Sequence, residues 1–454
     1  MSASEEETRL NEILTPFEIT KEEMFKIKDL ILKELKLGLN ADTHSTANTK
    51  CYPTYIQTYP SGCEHGMFLV TTIYSLKVHV LFFHLKGEND YRLEEESFDI
   101  PESINQGVEL FDFIVEKLHK HVKNLQLERE PLPLTLILPY PLLQINFAGA
   151  ILLKFPKNLK IAGIENKDVG QMMRESMRRL PNIKFELTAI INDVTSAFMS
   201  AAWRHKNVRI SFIVGTATNA GYWEKVSNIE SVTHRPKPEM FVNTDIAEFG
   251  SSGQLEFLAT EFDEALEKIS PTKGQNIFEK MASAWYMSEL SRSVIIKCIS
   301  ENILFGGESH VQLNRQDALK FANIQGTLVE SDQFHYMALV LDKLGINLPS
   351  ETDCARIHQI MEKIVMRSAS LVAAAIVALI EQIDEPDIKI GLDGEVCNTR
   401  PIYHNMIRSK IDSILNPKYK YELVEANDEH GRGGAITASL ILQEDYIYEN
   451  LNTA

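Results

Sequence analysis

Asn192 and Asp193 close an apolar stretch, residues 185–191, and stand just before residues 195–203, which can wind as a helix. A carboxylate in that place can cap the helix with its neighbour, or it can sit beside a hydroxyl and take its proton as a general base. The residues alone leave both open. Glycine-bearing turns follow other apolar stretches: Gly215-Thr216 after residues 209–214, Asp393-Gly394 after 388–392, and Gly431-Arg432-Gly433-Gly434 near the end. Such turns can press backbone N–H groups against a phosphate, or can be turns and nothing more, since turns commonly use glycine. Cys51, Cys63, Cys298, Cys354 and Cys397 form no C-x-x-C pair, so neither a zinc site nor a disulfide framework is indicated. A reducing, intracellular setting fits them.

The elements that must position these groups alternate in type. Thr20 and Glu23 have the spacing of a capping box, with Met24, Ile27, Ile31 and Leu35 on one apolar face and Gly38 as the expected stop. Residues 68–71 and 77–83 read as a β-hairpin, followed by a segment over 91–100, a helix over 109–122 and a strand over 134–138. The second half repeats the pattern, with a long helical region over 255–379 between its strands. This is an α/β chain with a large helical insertion.

With 454 residues, 44% of them hydrophobic, the chain can bury two or three cores. Its net charge of −17 argues against nucleic acid as a partner, because phosphate backbones are met by clustered Lys and Arg. Residues 1–10 are acidic and show no basic stretch leading into an apolar one, so no secretory signal is expected. The longest apolar run, 371–380, has about half the length that spans a bilayer. A soluble, cytoplasmic protein with no membrane partner is the expectation.

Several segments, in order, resemble motifs of the hexokinase family. Tyr52-Pro53-Thr54-Tyr55 with Gly62, then Ile100-Pro101, Gln106-Gly107 and Leu110-Phe111-Asp112, match its early blocks. Ile191-Asn192-Asp193 resembles the segment of the catalytic base, and Ile213 to Ala220 the second phosphate loop. Asn243, Phe249-Gly250, Gly274-Gln275, Phe278-Glu279-Lys280-Met281, Gly391 to Gly394 and Gly431 to Ala435 continue the series to the adenosine-side motifs.

The resemblance implies an actin-like (ribonuclease H-like), two-lobed sugar kinase fold that moves phosphate from ATP, with Mg2+, to the 6-hydroxyl of a glucose-like hexose, the opening step of glycolysis. In that alignment Asp193 is the base, and Lys157, Asn192, Asn219, Asp245 and Glu279 fall on sugar-contacting positions. Gly215, Thr216, Gly394, Gly431, Arg432 and Gly433 fall on the nucleotide side. Residues 1–67 and 201–436 would belong to a large lobe, 68–200 to a small one, and 437–454 to a C-terminal helix returning to the small lobe. A monomer is expected.

Some positions depart from the pattern. Asp245 replaces a Glu, and Pro139 and Pro156 stand where the family has hydroxyl-bearing residues. The first phosphate loop is rewritten: Thr72 takes the place of its Asp, Tyr74 and Ser75 its glycines, Leu76 and Lys77 its Thr-Asn, and His79 its Arg. Glu395 stands where a small hydroxyl residue is usual. Lys77 could bring charge to phosphate from a new direction. The expectation is a hexokinase-like phosphotransferase of weak or impaired activity; the alternative is a non-catalytic sugar-binding, regulatory or scaffold protein.

Overall fold

The computed structural model describes residues 2–74, 76–156, 159–232, 237–329, 333–347, 349–397, 401–428 and 431–453. Two helices lead, α1 (Ala3–Leu14) and α2 (Lys21–Leu39). The capping box forms at α2: Thr20 accepts from the Glu23 N–H, and the Glu23 carboxylate accepts from the Thr20 N–H at 2.8 Å. Gly38 does not end this helix. A β-carbon there would stand 2.0 Å from the Thr49 carbonyl oxygen, so the glycine serves the close return of the chain.

A short β1 (Tyr52–Pro53) leads to the hairpin β2 (His65–Tyr74) and β3 (Lys77–Gly87), and β4 (Asp90–Asp99) extends it as a meander. Then follow α3 (Gly107–Asn124), β5 (Pro133–Ile137), β6 (Leu142–Asn146), β7 (Gly149–Leu152), β8 (Lys167–Asp168), α4 (Val169–Arg179), β9 (Glu186–Ile191) and α5 (Asp193–Arg204). The main sheet of this half has the order β4-β3-β2-β5-β9, antiparallel in the meander and parallel from β2 to β9. Leu110, Phe111, Ile114 and Leu118 on α3 share its core with Val78 and Val80 on β3 and Leu134 and Leu136 on β5.

The second half opens with β10 (Val208–Val214), β11 (Thr218–Lys225) and β12 (Glu239–Asn243). Among the described residues six α-helices intervene: α6 (Glu261–Ile269), α7 (Ile277–Ala282), α8 (Ala284–Ser300), α9 (Phe321–Val329), α10 (Gln333–Lys343) and α11 (Glu351–Ile383). They are the expected insertion, broken into separate helices. After them come β13 (Asp387–Asp393), α12 (Ile402–Ile414), β14 (Lys420–Glu425) and α13 (Arg432–Thr453).

The sheet runs β1-β12-β11-β10-β13-β14. Setting β1 aside, a meander followed by two parallel strands gives the same order as in the first half. The molecule is therefore a duplicated, ribonuclease H-like two-lobed α/β fold. The N-terminal segment joins the second lobe, because Tyr52 on β1 pairs with Asn243 on β12.

By length and composition α11 could cross a membrane, but 89% of its most apolar window is buried among the other elements. Here it is the core helix of the second lobe. The last helix lies across the first lobe's β2, β5 and β9 and against α5, and it begins at Arg432 rather than at 437. Gly433 permits that crossing, since a β-carbon there would stand 1.9 Å from the Ser196 carbonyl oxygen of α5.

Candidate active site

The loop that turns β9 into α5 delivers Asp193. The Val194 N–H, an orphan donor at the helix start, is shared: Asn192 Oδ1 and Asp193 Oδ1 each accept it at 2.8 Å. Asn192 and Asp193 thus share the capping of α5, and a base role for Asp193 stays open beside it. Burial pushes its carboxyl up to about 7; the Val194 N–H opposes this, and the charges of Asp393 and Asp428 add to it. Tyr140 stands close by, its phenol pushed up by burial and then by the Asp193 charge, with its ring 5.1 Å from that of Phe155.

The facing wall comes from the second lobe. Asn219 on β11 donates from Nδ2 to Asn243 Oδ1 at 3.0 Å, and the same oxygen accepts the Asp245 N–H at 3.2 Å. Asp245 holds a left-handed conformation, φ 57°, that turns the chain out of β12. Burial, then the Glu248 charge, raises its carboxyl to about 7, while Lys154 and Lys50 pull it down. Glu279 on α7 accepts the Thr218 N–H at 3.1 Å and Asn276 Nδ2 at 3.4 Å, and burial raises its carboxyl too.

Asn219, Asp245 and Glu279 thus share one wall of polar groups. Such a wall suits a polyhydroxylated ligand, whose hydroxyls each donate and accept. Lys157 lies outside the described residues. Three further residues join the wall or its rim without a signal in the sequence that assigned them a role. Asn243 appeared only as a motif residue. Glu248 and Lys154 are 94 positions apart, and only tertiary folding pairs them.

On the phosphate side, the loop after β10 meets the turn after β13. Gly394 has φ 95°, and a β-carbon on it would stand 2.4 Å from the Val214 carbonyl oxygen, so the turn requires glycine. Thr216 carries a chain of hydrogen bonds across the cleft. Its hydroxyl donates to Glu395 Oε1 at 3.1 Å, which leaves its oxygen to accept from the Tyr74 hydroxyl, also at 3.1 Å.

Tyr74 belongs to the first lobe, at the end of β2; Thr216 and Glu395 belong to the second. Thr72 is almost fully buried within β2, opposite His79. Lys77 does not turn to this side: it pairs with Asp99 at 3.4 Å on the exposed face, while His79 Nδ1 meets Ser97 Oγ at 2.9 Å. Ser75 lies outside the described residues.

The last glycine cluster has a packing role, and it engages Arg432. Arg432 is fully buried, donates to the carbonyls of Ala426 (2.9 Å) and Asn427 (2.6 Å), and stacks over the rings of Tyr91 and Trp203. A guanidinium so engaged is not a phosphate ligand. Gly431, at φ 148°, would bring a β-carbon within 3.0 Å of Val70, and Gly433 lets α13 cross α5. Both glycines serve the seat of the last helix on the first lobe.

The raised carboxyls have a measurable consequence. Asp245 titrates near 7 in the fold against an ordinary value of 3.8, so the folded state binds its proton more readily between those values. Its contribution therefore falls as pH rises from about 4 to about 7, by on the order of 4 kcal/mol. Asp245→Asn, which has no charge to bury, is expected to be more stable than the native protein at pH 8, with the gap closing toward pH 4. Thermal unfolding across that range checks it; a gap independent of pH would refute it.

Two family models described as hexokinase match residues 9–203 and 209–440, meeting between α5 and β10. The chain is 30% identical to human hexokinase-2 over 95% of its own length, and 26% identical to hexokinase type 1 of Drosophila melanogaster over 94%. It spans 48% of the human protein and 92% of the fly one, so it is about half the length of several curated relatives. A solved hexokinase of Schistosoma mansoni complexed with glucose superposes with a TM-score of 0.89, at 25% identity, over 97% of this chain and all of that one. Two model matches that together run almost end to end, on a duplicated fold with a polar cleft between its halves, lead to one conclusion: this chain belongs to the hexokinase family.

Proposed function

We propose that the chain binds a glucose-like hexose between its lobes and keeps the acceptor half of hexokinase chemistry, while its phosphate-donor half is impaired. The observation that carries this is the contrast between the two sides of one cleft. On the acceptor side Asp193 is present at the start of α5, with a carboxyl near 7 that suits a base at neutral pH. The facing wall retains Asn219, Asp245 and Glu279.

On the donor side the match is poor. Family membership implies ATP and Mg2+ in general, but Thr72 offers no carboxylate to a metal's water shell. The Thr216 hydroxyl is engaged by Tyr74 and Glu395. A triphosphate seated there would have to displace the tyrosine and lie against a carboxylate. The chain is read as a hexose 6-phosphotransferase of low turnover. A second reading, a sugar-responsive binding or scaffold protein without transfer activity, is favoured by that same Tyr74-Thr216-Glu395 chain.

Calorimetry with glucose separates hexose binding from transfer. Glu279→Ala and Asn219→Ala are each expected to weaken binding about 10-fold or more, because each leaves buried hydroxyls unpaired at roughly 1–3 kcal/mol apiece. No heat at millimolar hexose with folded native protein would reject the sugar site.

A further inference from the structure

We infer that Lys154 and Glu248 form a latch across the cleft, a pair of positioning residues that holds the lobes together over a bound hexose and sets how fast the hexose leaves. The inference rests on the hexose-binding reading above. Lys154 follows β7 in the first lobe, and Glu248 ends the turn Ile246–Glu248 after β12 in the second. Lys154 Nζ donates to Glu248 Oε1 and lies 3.5 Å from Gln275 Oε1, also in the second lobe.

Both ends are held in place. Glu248 accepts the Asn276 N–H at 3.1 Å and the Ser251 hydroxyl at 3.0 Å, and its side chain is only 13% exposed. The loop that carries Lys154 is fixed by the next residue, whose N–H donates to Glu165 Oε1 at 2.9 Å. Burial pushes the Glu248 carboxyl up, but the bonds from Lys154, the Asn276 N–H and Ser251 outweigh it and hold it below its ordinary value. Glu248 stays charged.

The neighbours make this pair more than a surface contact. Glu248 raises the carboxyls of both Asp245 and Glu279, so the second lobe presents a wall of three acids at the sugar site. Among the described residues Lys154 is a cation that the first lobe sets against that wall, and it pulls the Asp245 carboxyl down. Without it nothing in the pair opposes lobe opening. A ligand enclosed between lobes leaves only when they part, so an interaction made in the closed arrangement alone appears as a slower off-rate. Lys154 is half exposed, and its removal leaves Glu248 the bonds that Ser251 and the Asn276 N–H make to Oε2.

The test uses the full chain and the variants Lys154→Met, Lys154→Arg and Glu248→Gln, with glucose as the probe. Stopped-flow tryptophan fluorescence is expected to show dissociation about 3–10-fold faster in Lys154→Met and in Glu248→Gln, partly restored in Lys154→Arg. The double variant should be no faster than the quicker single one, since both break one bond. Small-angle scattering without sugar reads lobe separation directly, and a larger radius of gyration is expected for Lys154→Met.

Glucose that binds the native protein with an off-rate unchanged in Lys154→Met overturns the latch. So does an unchanged radius of gyration, whether or not sugar binds. Failure of the native protein to bind glucose would instead remove the hexose reading, and the scattering comparison would still decide the latch.

Discussion

Replacing Thr72 with Asp, Tyr74 and Ser75 with Gly, and Glu395 with Ser is expected to raise hexose phosphorylation about 10²–10⁴-fold at saturating ATP and glucose. Phosphoryl transfer is mostly positioning and charge stabilisation, and single preorganised contacts of that kind are worth about 10²–10³-fold in rate. On the function proposed above, the native protein lacks them in a specific way. The Tyr74 hydroxyl and the Glu395 carboxylate hold Thr216 from opposite sides, and Thr72 stands where a carboxylate would anchor the metal's water shell.

The four changes free the hydroxyl, remove a repelling charge and restore the anchor. Contacts that act as one unit do not multiply, which sets the upper end well below the product of the separate factors. Glucose affinity should stay within about twofold, because none of the four residues lies on the Asn219-Asp245-Glu279 wall. Tyr74→Phe alone should do little while Glu395 remains. A coupled assay on proteins shown to be folded decides the matter. Native turnover already at the roughly 1–100 s⁻¹ common among kinases would refute the reading.

In that restored protein, Asp193→Asn is expected to lower kcat about 10²–10⁴-fold while leaving glucose affinity within about threefold. Asparagine keeps the shape and the bond from the Val194 N–H but cannot take a proton. The pH profile supplies a second, independent readout. Burial raises the Asp193 carboxyl to about 7, and only the deprotonated form accepts the sugar's proton, so kcat/KM should climb with pH and level off above about 7.

Asp393, raised to about 6 by burial and by Asp428, titrates in the same neighbourhood, so the midpoint belongs to the group and not to one residue. The Asn variant should show no such climb. A profile that levels near pH 4–5 would mean that Asp193 is not buried in the working protein.

The value of the motif order shows best where single residues were ambiguous. Asn192 and Asp193 alone could be a cap or a base; the structure has them share one N–H, so that Asn192 can carry the capping. Gly215 and Gly433 looked alike as turn glycines and proved different. The first lies in a loop facing Glu395, and the second is a contact between α13 and α5. Arg432 misled for a related reason: a basic residue beside glycines suggests phosphate, but its guanidinium is spent on two carbonyls and two aromatic rings.

What the sequence by itself determined is what depends on local periodicity and ordered motifs. The capping box at Thr20, the hairpin around Tyr74, the alternation of strands and helices and the helical insertion were all legible. Only the tertiary structure decided which groups meet across the cleft. The Lys154–Glu248 pair and the Tyr74-Thr216-Glu395 chain join residues far apart in sequence, on lobes that fold around separate sheets. The raised carboxyls of Asp193 and Asp245 belong to the same class, because desolvation and the fields of neighbouring acids exist only once the lobes have packed around them.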